Sequence, residues 1–245
     1  MGKRYVDRFY RSWCEREDGV DLYEVKYKES DLLIKTRGNH SSRVLKMLKK
    51  LHDDIRTYAK FDPRFLNSFE YYETNLPMPD VVSSMFEASK KMGVGPMAAV
   101  AGAISKFVGL ELSKRSDLVI VENGGDIFIK SPFEVVVGIF AGESPFSGRI
   151  GIRIQPTFEE HIGVCTSSGT VGHSKSFGVA DAAVIVSEDP AVADAGATAL
   201  GNSVRKDKDL EELLREFILG KDLIGGLVIR GKELAVFGVE LVWIK

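Results

Sequence analysis

Two hard oxygen donors stand four residues apart inside the small-residue run "SEDPAVADAGATALGN", Ser187 to Asn202: the carboxylate of Asp194 and the hydroxyl of Thr198. On an α-helix that spacing puts both side chains on one face. An ionised Asp in apolar surroundings must be paired, protonated or metal-bound. A carboxylate beside a hydroxyl suits Mg2+ or Ca2+ and does not suit zinc. Two ligands are part of a site only, which Mg2+ tolerates because it keeps waters and accepts phosphate oxygens. The alternative is that Asp194 accepts hydrogen bonds from backbone N–H groups of a nearby turn.

Two further stretches gather polar groups. In "VENGGDIF" the pair Gly124–Gly125 breaks two apolar runs, with Glu122, Asn123 and Asp126 around the gap. Paired glycines allow positive φ and a close approach by ligand or backbone, although Asn-Gly is equally a plain hairpin signal. In "TSSGTVGHS" the hydroxyls of Ser167, Ser168 and Thr170, the backbone opened by Gly169, and the imidazole of His173 can cradle a phosphate. That loop lacks the Gly-Lys-Ser/Thr of a Walker motif and the Gly-x-Ser-x-Gly of a hydrolase elbow. His173 is a candidate base there, or an ordinary loop residue.

The elements that must position these groups are legible in outline. Asp189 suits a helix N-cap, Pro190 the first helical position, and Gly201 the residue just past the end. A second small-residue helix opens at Pro96 in "GVGPMAAVAGAISKFVGLEL". Alternation in "DLYEVKYKESDLLIKT" predicts a hairpin turning at Glu29–Ser30, and Val44, Leu45, Leu48, Leu51, Ile55 and Tyr58 predict an amphipathic helix over 41–60. His52 on that helix reads as a surface or packing residue and not as a ligand. A helix through "VVSSMFEASKKM" runs to Gly93, several strands follow, and "GGLVIRGKELAVFGVELVWI" predicts a closing hairpin with its turn at Gly231–Lys232. The expected class is α+β, a single domain over 1–245 with a largely antiparallel sheet packed against helices.

Composition narrows the function classes. The 245 residues carry 33 Lys+Arg against 35 Asp+Glu, a net charge of −2, which argues against nucleic acid as the main partner. Tyr5, Phe9, Tyr10 and Trp13 lie among basic residues in an N-terminal arm over 1–20, read as a packing arm and not a base-stacking one. Cys14 and Cys165 have no metal-type spacing and fit a reduced compartment. With neither a secretory signal nor a long apolar stretch, the sequence predicts a cytoplasmic protein off the membrane.

Taken in order, "GPMAAVAGAIS", "ENGGDIF", "TSSG" and "ADAGATAL" resemble the ApbE-type FAD:protein FMN transferase superfamily over residues 93–202. With "DRFYRSW", "KESDLLI" and "GVCTSSGTVGHSKSFG", nearly the whole chain looks like a shorter cytoplasmic branch of it. The resemblance implies a T-fold-like architecture and a flavin nucleotide, FAD or FMN, at Glu122, Asn123, Gly124, Gly125, Asp126, Ser167, Ser168, Gly169 and Thr170. It implies Mg2+ on Asp194 and Thr198 with a backbone carbonyl near the other helix, which makes Asp194 a catalytic group; His173, the candidate base of its loop, is the second catalytic candidate, as a substitute for what this chain lacks of the family's pocket. The family's transfer of FMN to a protein Thr implies a protein acceptor, and its sheets imply a homo-oligomer. This sequence departs from the pattern: "SGTVGHSKSFGVADAAVIV" lacks the His-x-Ile-Asp-Pro-x-Thr-Gly stretch, and "GPMAAVAG" replaces the basic Ala-Lys-Gly element. Three readings follow: a Mg2+-dependent flavin nucleotide enzyme, a flavin or nucleotide-binding protein without transfer, or a non-catalytic oligomeric interaction protein.

Overall fold

The strand pattern of the N-terminal third closes first. In the computed structural model, which describes residues 19–168 and 178–244, β1 (Asp21–Tyr27) and β2 (Ser30–Thr36) form the hairpin. Its turn is Lys28–Glu29, one residue earlier than the pattern predicts, because Ser30 already pairs with Tyr27 in the ladder. Lys28 takes the left-handed φ of 52° the turn requires. Ser30 is buried and its Oγ lies 2.9 Å from His52 Nε2, so His52 is a packing residue.

That histidine sits on α1 (Ser41–Phe61), whose apolar stripe of Val44, Leu48, Leu51, Ile55 and Tyr58 is buried. α2 (Asp80–Met92) ends at Gly93 in the left-handed conformation, φ 76°. Pro96 then opens a 3-10 turn, Pro96–Ala99, and α3 (Val100–Leu112) follows it. β3 (Val119–Asn123) and β4 (Asp126–Lys130) pair across Gly124–Gly125, which take φ of 73° and 105°.

After them come β5 (Val135–Gly138), β6 (Ile150–Ile154), β7 (Ile162–Ser167), β8 (Ala182–Ser187), α4 (Pro190–Ser203), α5 (Leu210–Lys221), β9 (Gly225–Arg230), β10 (Glu233–Phe237) and β11 (Glu240–Trp243). The large sheet has the order β1-β2-β3-β4-β7-β8-β9-β10, with every recorded pairing antiparallel, and β11-β6-β5 form a second, small sheet. The turn at Gly231–Lys232 falls where the sequence predicts. The closing hairpin stops at Phe237, however: Gly238, at φ 72°, redirects the chain so that β11 pairs with β6.

Pleat alternation sorts the residues into three layers. On β8, Ala183 and Ile185 pack under α4 and α5, while Ala182, Val184 and Val186 pack against Ile139, Ile150 and Ile152 of the small-sheet side. The helices therefore lie on one face of the large sheet and the small sheet on the other. An α+β architecture with a large antiparallel sheet is what the sequence predicts.

α4 is the element that carries Asp194 and Thr198. Asp189 caps it, accepting from Ala191 N at 2.8 Å, and Pro190 is its first residue. Gly201 lies inside the last turn, not beyond it. Gly201 takes no left-handed φ, and the close approach at this helix end is made by Gly178, where a Cβ would fall 1.8 Å from the Gly201 carbonyl oxygen. The Lys106 ammonium reaches Asp189 Oδ2 at 2.6 Å and ties α3 to the start of α4. Asp189→Ala removes both the cap and this partner, and should cost about 1–2 kcal/mol in chemical denaturation. Among the described residues no single helix is long and apolar enough to cross a membrane; the apolar pair Asp80–Met92 and Pro96–Leu112 is bent by 107°.

Candidate functional site

The start of α4 is clasped between two glycines. A Cβ on Gly102, in the first turn of α3, would sit 2.2 Å from the Pro190 carbonyl oxygen and 2.7 Å from Asp194 Cβ. A Cβ on Gly163 of β7 would sit 2.4 Å from Pro190 Cα. Small residues at these two places let α4 lie against both α3 and the sheet, and that contact brings Asp194 to Asp126 at the start of β4.

Asp194 Oδ2 accepts a hydrogen bond from Gly102 N at 2.8 Å. The carboxylate of one helix thus caps the first turn of another, where N–H groups lack partners and the helix dipole favours negative charge. The backbone-bonded alternative is therefore realised for one oxygen of Asp194. Its environment still opposes ionisation: burial raises the carboxyl to about 7, against the Gly102 and Ala101 amides that favour the charged form.

Asp126 is the second carboxylate and is buried where Asp194 is half-buried. It pairs in register with Asn123 on one side and Cys165 on the other. It is 8% exposed, and its Oδ1 has no hydrogen-bond partner among the described residues. Burial holds its carboxyl well above the usual range, the charge of Asp194 pushes the same way, and the Cys165 thiol opposes. Burial and the two carboxylates also push the thiol of Cys165 up, so it stays protonated, donating to the Pro190 carbonyl at 3.3 Å.

Asn123 completes the frame: its Nδ2 donates to the Ala101 carbonyl at 3.3 Å, so the glycine turn is tied to α3 as α4 is. Glu122 falls on the opposite pleat, and its Oε1 accepts from Gly125 N at 3.0 Å, closing the turn. Of the acidic pair at the break, the fold brings Asp126 to Asp194 and gives Glu122 a role in the turn. Ser167 shares the helix-side pleat with Cys165 and is buried, Ser168 is half-buried, and Thr198 lies half-buried one turn beyond Asp194. Gly169, Thr170 and His173 lie outside the described residues, as does most of the N-terminal arm.

Cys165 is the group that sequence reasoning missed. It was legible by period: two residues before Ser167 on a strand, it had to share that residue's face. Among the described residues no Lys or Arg forms an ion pair with Asp126 or Asp194, and no three His, Cys, Asp or Glu side chains converge as a metal site. A cation here would rely on Asp194, Asp126, the Thr198 hydroxyl, backbone carbonyls, waters and ligand oxygens. That donor set is all hard oxygen and fits Mg2+.

Residues 11–217 match the protein family described as AbpE bacteria. The chain belongs to that family. It is 47% identical over 189 residues to a UPF0280 protein of Methanothrix thermoacetophila, covering 75% of this chain and 77% of the relative. It is 36% identical over 225 residues to a UPF0280 protein of Archaeoglobus fulgidus, covering 89% and 92%. Among solved structures it resembles the Pseudomonas stutzeri flavinyl transferase ApbE in its apo form, with a TM-score of 0.58 and 13% identity over 89% of this chain and 93% of that one. The ApbE protein of Thermotoga maritima matches with a TM-score of 0.51 and 15% identity over 92% and 97%. At such identities the likeness is one of fold.

Proposed function

We propose that this member of the family binds a flavin nucleotide with Mg2+ where the first turn of α3, the Gly124–Gly125 turn and α4 meet, and that it acts on that nucleotide. The observation that carries the reading is the pair of neighbouring carboxylates, buried Asp126 and half-buried Asp194, with Oδ1 of Asp126 unpartnered among the described residues. Two neighbouring carboxyls held above their usual range call for a cation or a proton. Asp194 and Thr198 would hold the cation, with Asp126 as a further carboxylate facing it. When bound, the cation supplies charge neutralisation for a pyrophosphate. The fold shared with flavin transferases supports a flavin as the nucleotide. Ser167, Ser168 and the glycine turn would line the same cleft, with Gly169, Thr170 and His173, which follow them in sequence, as further candidates.

If group transfer is retained, an acceptor hydroxyl oxygen bonds to the flavin-side phosphorus, the pyrophosphate P–O bond breaks, AMP leaves, and the hydroxyl proton passes to solvent. A second reading, binding without transfer, is favoured by the missing His-x-Ile-Asp-Pro-x-Thr-Gly stretch between β7 and β8. AMP release from FAD separates the two.

The test is titration of the full chain with FAD, FMN and ADP, with and without Mg2+. Asp194→Asn is the informative variant, because an Asn oxygen still accepts from Gly102 while the charge is gone. The expected result is a Mg2+-dependent affinity that falls about tenfold or more in Asp194→Asn. A wild-type chain that binds no nucleotide in a Mg2+-dependent way, or a variant that binds as well as wild type, overturns the proposal.

A further inference from the structure

The two faces of the large sheet are covered unequally. On the helix side β1, β2 and β3 pack against α1 and α3 through Val25, Leu32, Ile34, Val119 and Val121. On the other side the apolar layer under the small sheet reaches from Ile120 of β3 to Leu234 of β10 and takes in no residue of β1 or β2. Among the described residues a strip over β1, β2 and the near side of β3 is therefore left without a covering layer. Pleat and register place Leu22, Leu33 and Ile120 on it. Leu22 and Leu33 are only half-buried, and neither joins an apolar cluster among the described residues. A sheet face that carries leucines is stable when another layer packs on it, and β1 is moreover the edge strand.

The chain has a segment that fits. Residues 1–18 of the N-terminal arm, outside the described residues, lead to Gly19, two residues before β1. Gly19 takes a left-handed φ of 76°, which suits the reversal that an Asp-Gly pair makes. A reversal at Asp18–Gly19 directs the preceding residues back along β1, at the margin of the strip. Fully extended, 18 residues span about 60 Å, against about 23 Å for the length of β1 and about 10 Å across three strands. The chemistry also matches. Tyr5, Phe9, Tyr10 and Trp13 bring apolar rings, and Lys3, Arg4, Arg8 and Arg11 outweigh Asp7. The strip has the opposite balance, with Glu24, Asp31 and Glu122 against Lys26 and Lys35.

We infer that the N-terminal arm folds back over β1–β3 on the face opposite α1 and α3, its rings on Leu22, Leu33 and Ile120, and completes the third layer where the small sheet stops. The occupant is the chain's own arm, because that arm enters the sheet beside the strip.

Trp13 and Trp243 are the two tryptophans, so the full chain with Trp243→Phe reports on the arm alone; Trp243 is 70% exposed, and its loss spares the core. The expected result is a Trp13 emission that is blue-shifted and shielded from acrylamide relative to the same chain in urea. In that background Leu33→Lys returns Trp13 to a solvent-like signal. It also speeds tryptic cleavage after Arg8 and Arg11 about tenfold, as the loss of one leucine contact would. The new lysine opposes a basic arm, and it stands between its cross-strand neighbours Glu24 and Glu122, so the sheet keeps its fold. Phe9→Ser, which leaves the sheet untouched, speeds the same cleavage. Phe133→Ser, at an exposed ring between β4 and β5, is the control and changes neither signal. A Trp13 as accessible in the native chain as in urea, or equally shielded in Leu33→Lys, overturns the inference. So does shielding that vanishes on dilution together with a dimer in light scattering, which assigns the strip to the arm of a second copy.

Discussion

Gly102→Ala should destabilise the chain by about 3 kcal/mol and weaken Mg2+-dependent nucleotide binding with it. The added methyl has nowhere to go: it meets the Pro190 carbonyl at 2.2 Å and Asp194 Cβ at 2.7 Å, and neither is the tip of a flexible side chain. Relief requires α3 and α4 to separate, and overpacking of that kind costs about 1–3 kcal/mol, more where backbone must move. Separation also lengthens the 2.8 Å bond from Gly102 N to Asp194 and uncaps the first turn of α3. Gly196→Ala is the internal control. Its Cβ would meet Ile185 at 3.4 Å and the Met92 sulfur at 3.5 Å, which is ordinary contact. There the helix gains from losing a glycine, by up to about 1 kcal/mol. Chemical denaturation of both variants decides the matter: equal midpoints would mean that the close crossing of α3 and α4 is not what fixes Asp194.

How far the sequence reveals such a site depends on whether its determinants are local. Asp189, Pro190 and the spacing of Asp194 from Thr198 are neighbours in the chain, and α4 appears where they predict it. The partner of Asp194 is 92 residues away, and nothing in "GPMAAVAGAIS" singles out Gly102 as the residue that must touch it. Likewise Glu122 and Asp126 flank the glycine pair alike in sequence. Only the pleat, which needs a pairing register, sends one to the helix side and the other to the turn. β11 shows the same limit: "ELVW" continues the alternation of the preceding hairpin, and its departure to the small sheet is set by its partner β6 and not by its own residues.

Between pH 5 and 8, in the absence of divalent cations, the difference in stability between wild type and Asp194→Asn should change steadily, with wild type losing ground as pH rises. The sign follows from burial. The Asp194 carboxyl titrates at about 7 in the folded chain and at the ordinary 3.8 when unfolded. Between those values the native state holds a proton that the unfolded state releases, so stability falls with rising pH until the penalty is complete above about 7. Asp126 is raised in the same direction, and with Cys165 and Glu122 it supplies the charges and protons that face the pair. His52 and His161 act oppositely. Burial lowers both, so their contribution grows as pH rises through the unfolded value near 6.5. Subtracting Asp194→Asn cancels their effect. The acids lowered by their partners, Asp62, Glu111 and Glu134 among them, complete their contribution at lower pH and drop out of the window. Each pKa unit is worth about 1.4 kcal/mol, and about 2–4 °C in Tm per kcal/mol for a chain of this length. Saturating Mg2+ should flatten the difference or reverse its slope, because a cation stabilises the ionised pair most where protons are scarcest. A wild-type curve parallel to that of Asp194→Asn, unchanged by Mg2+, would place Asp194 in the fold as a cap for α3 and nothing more.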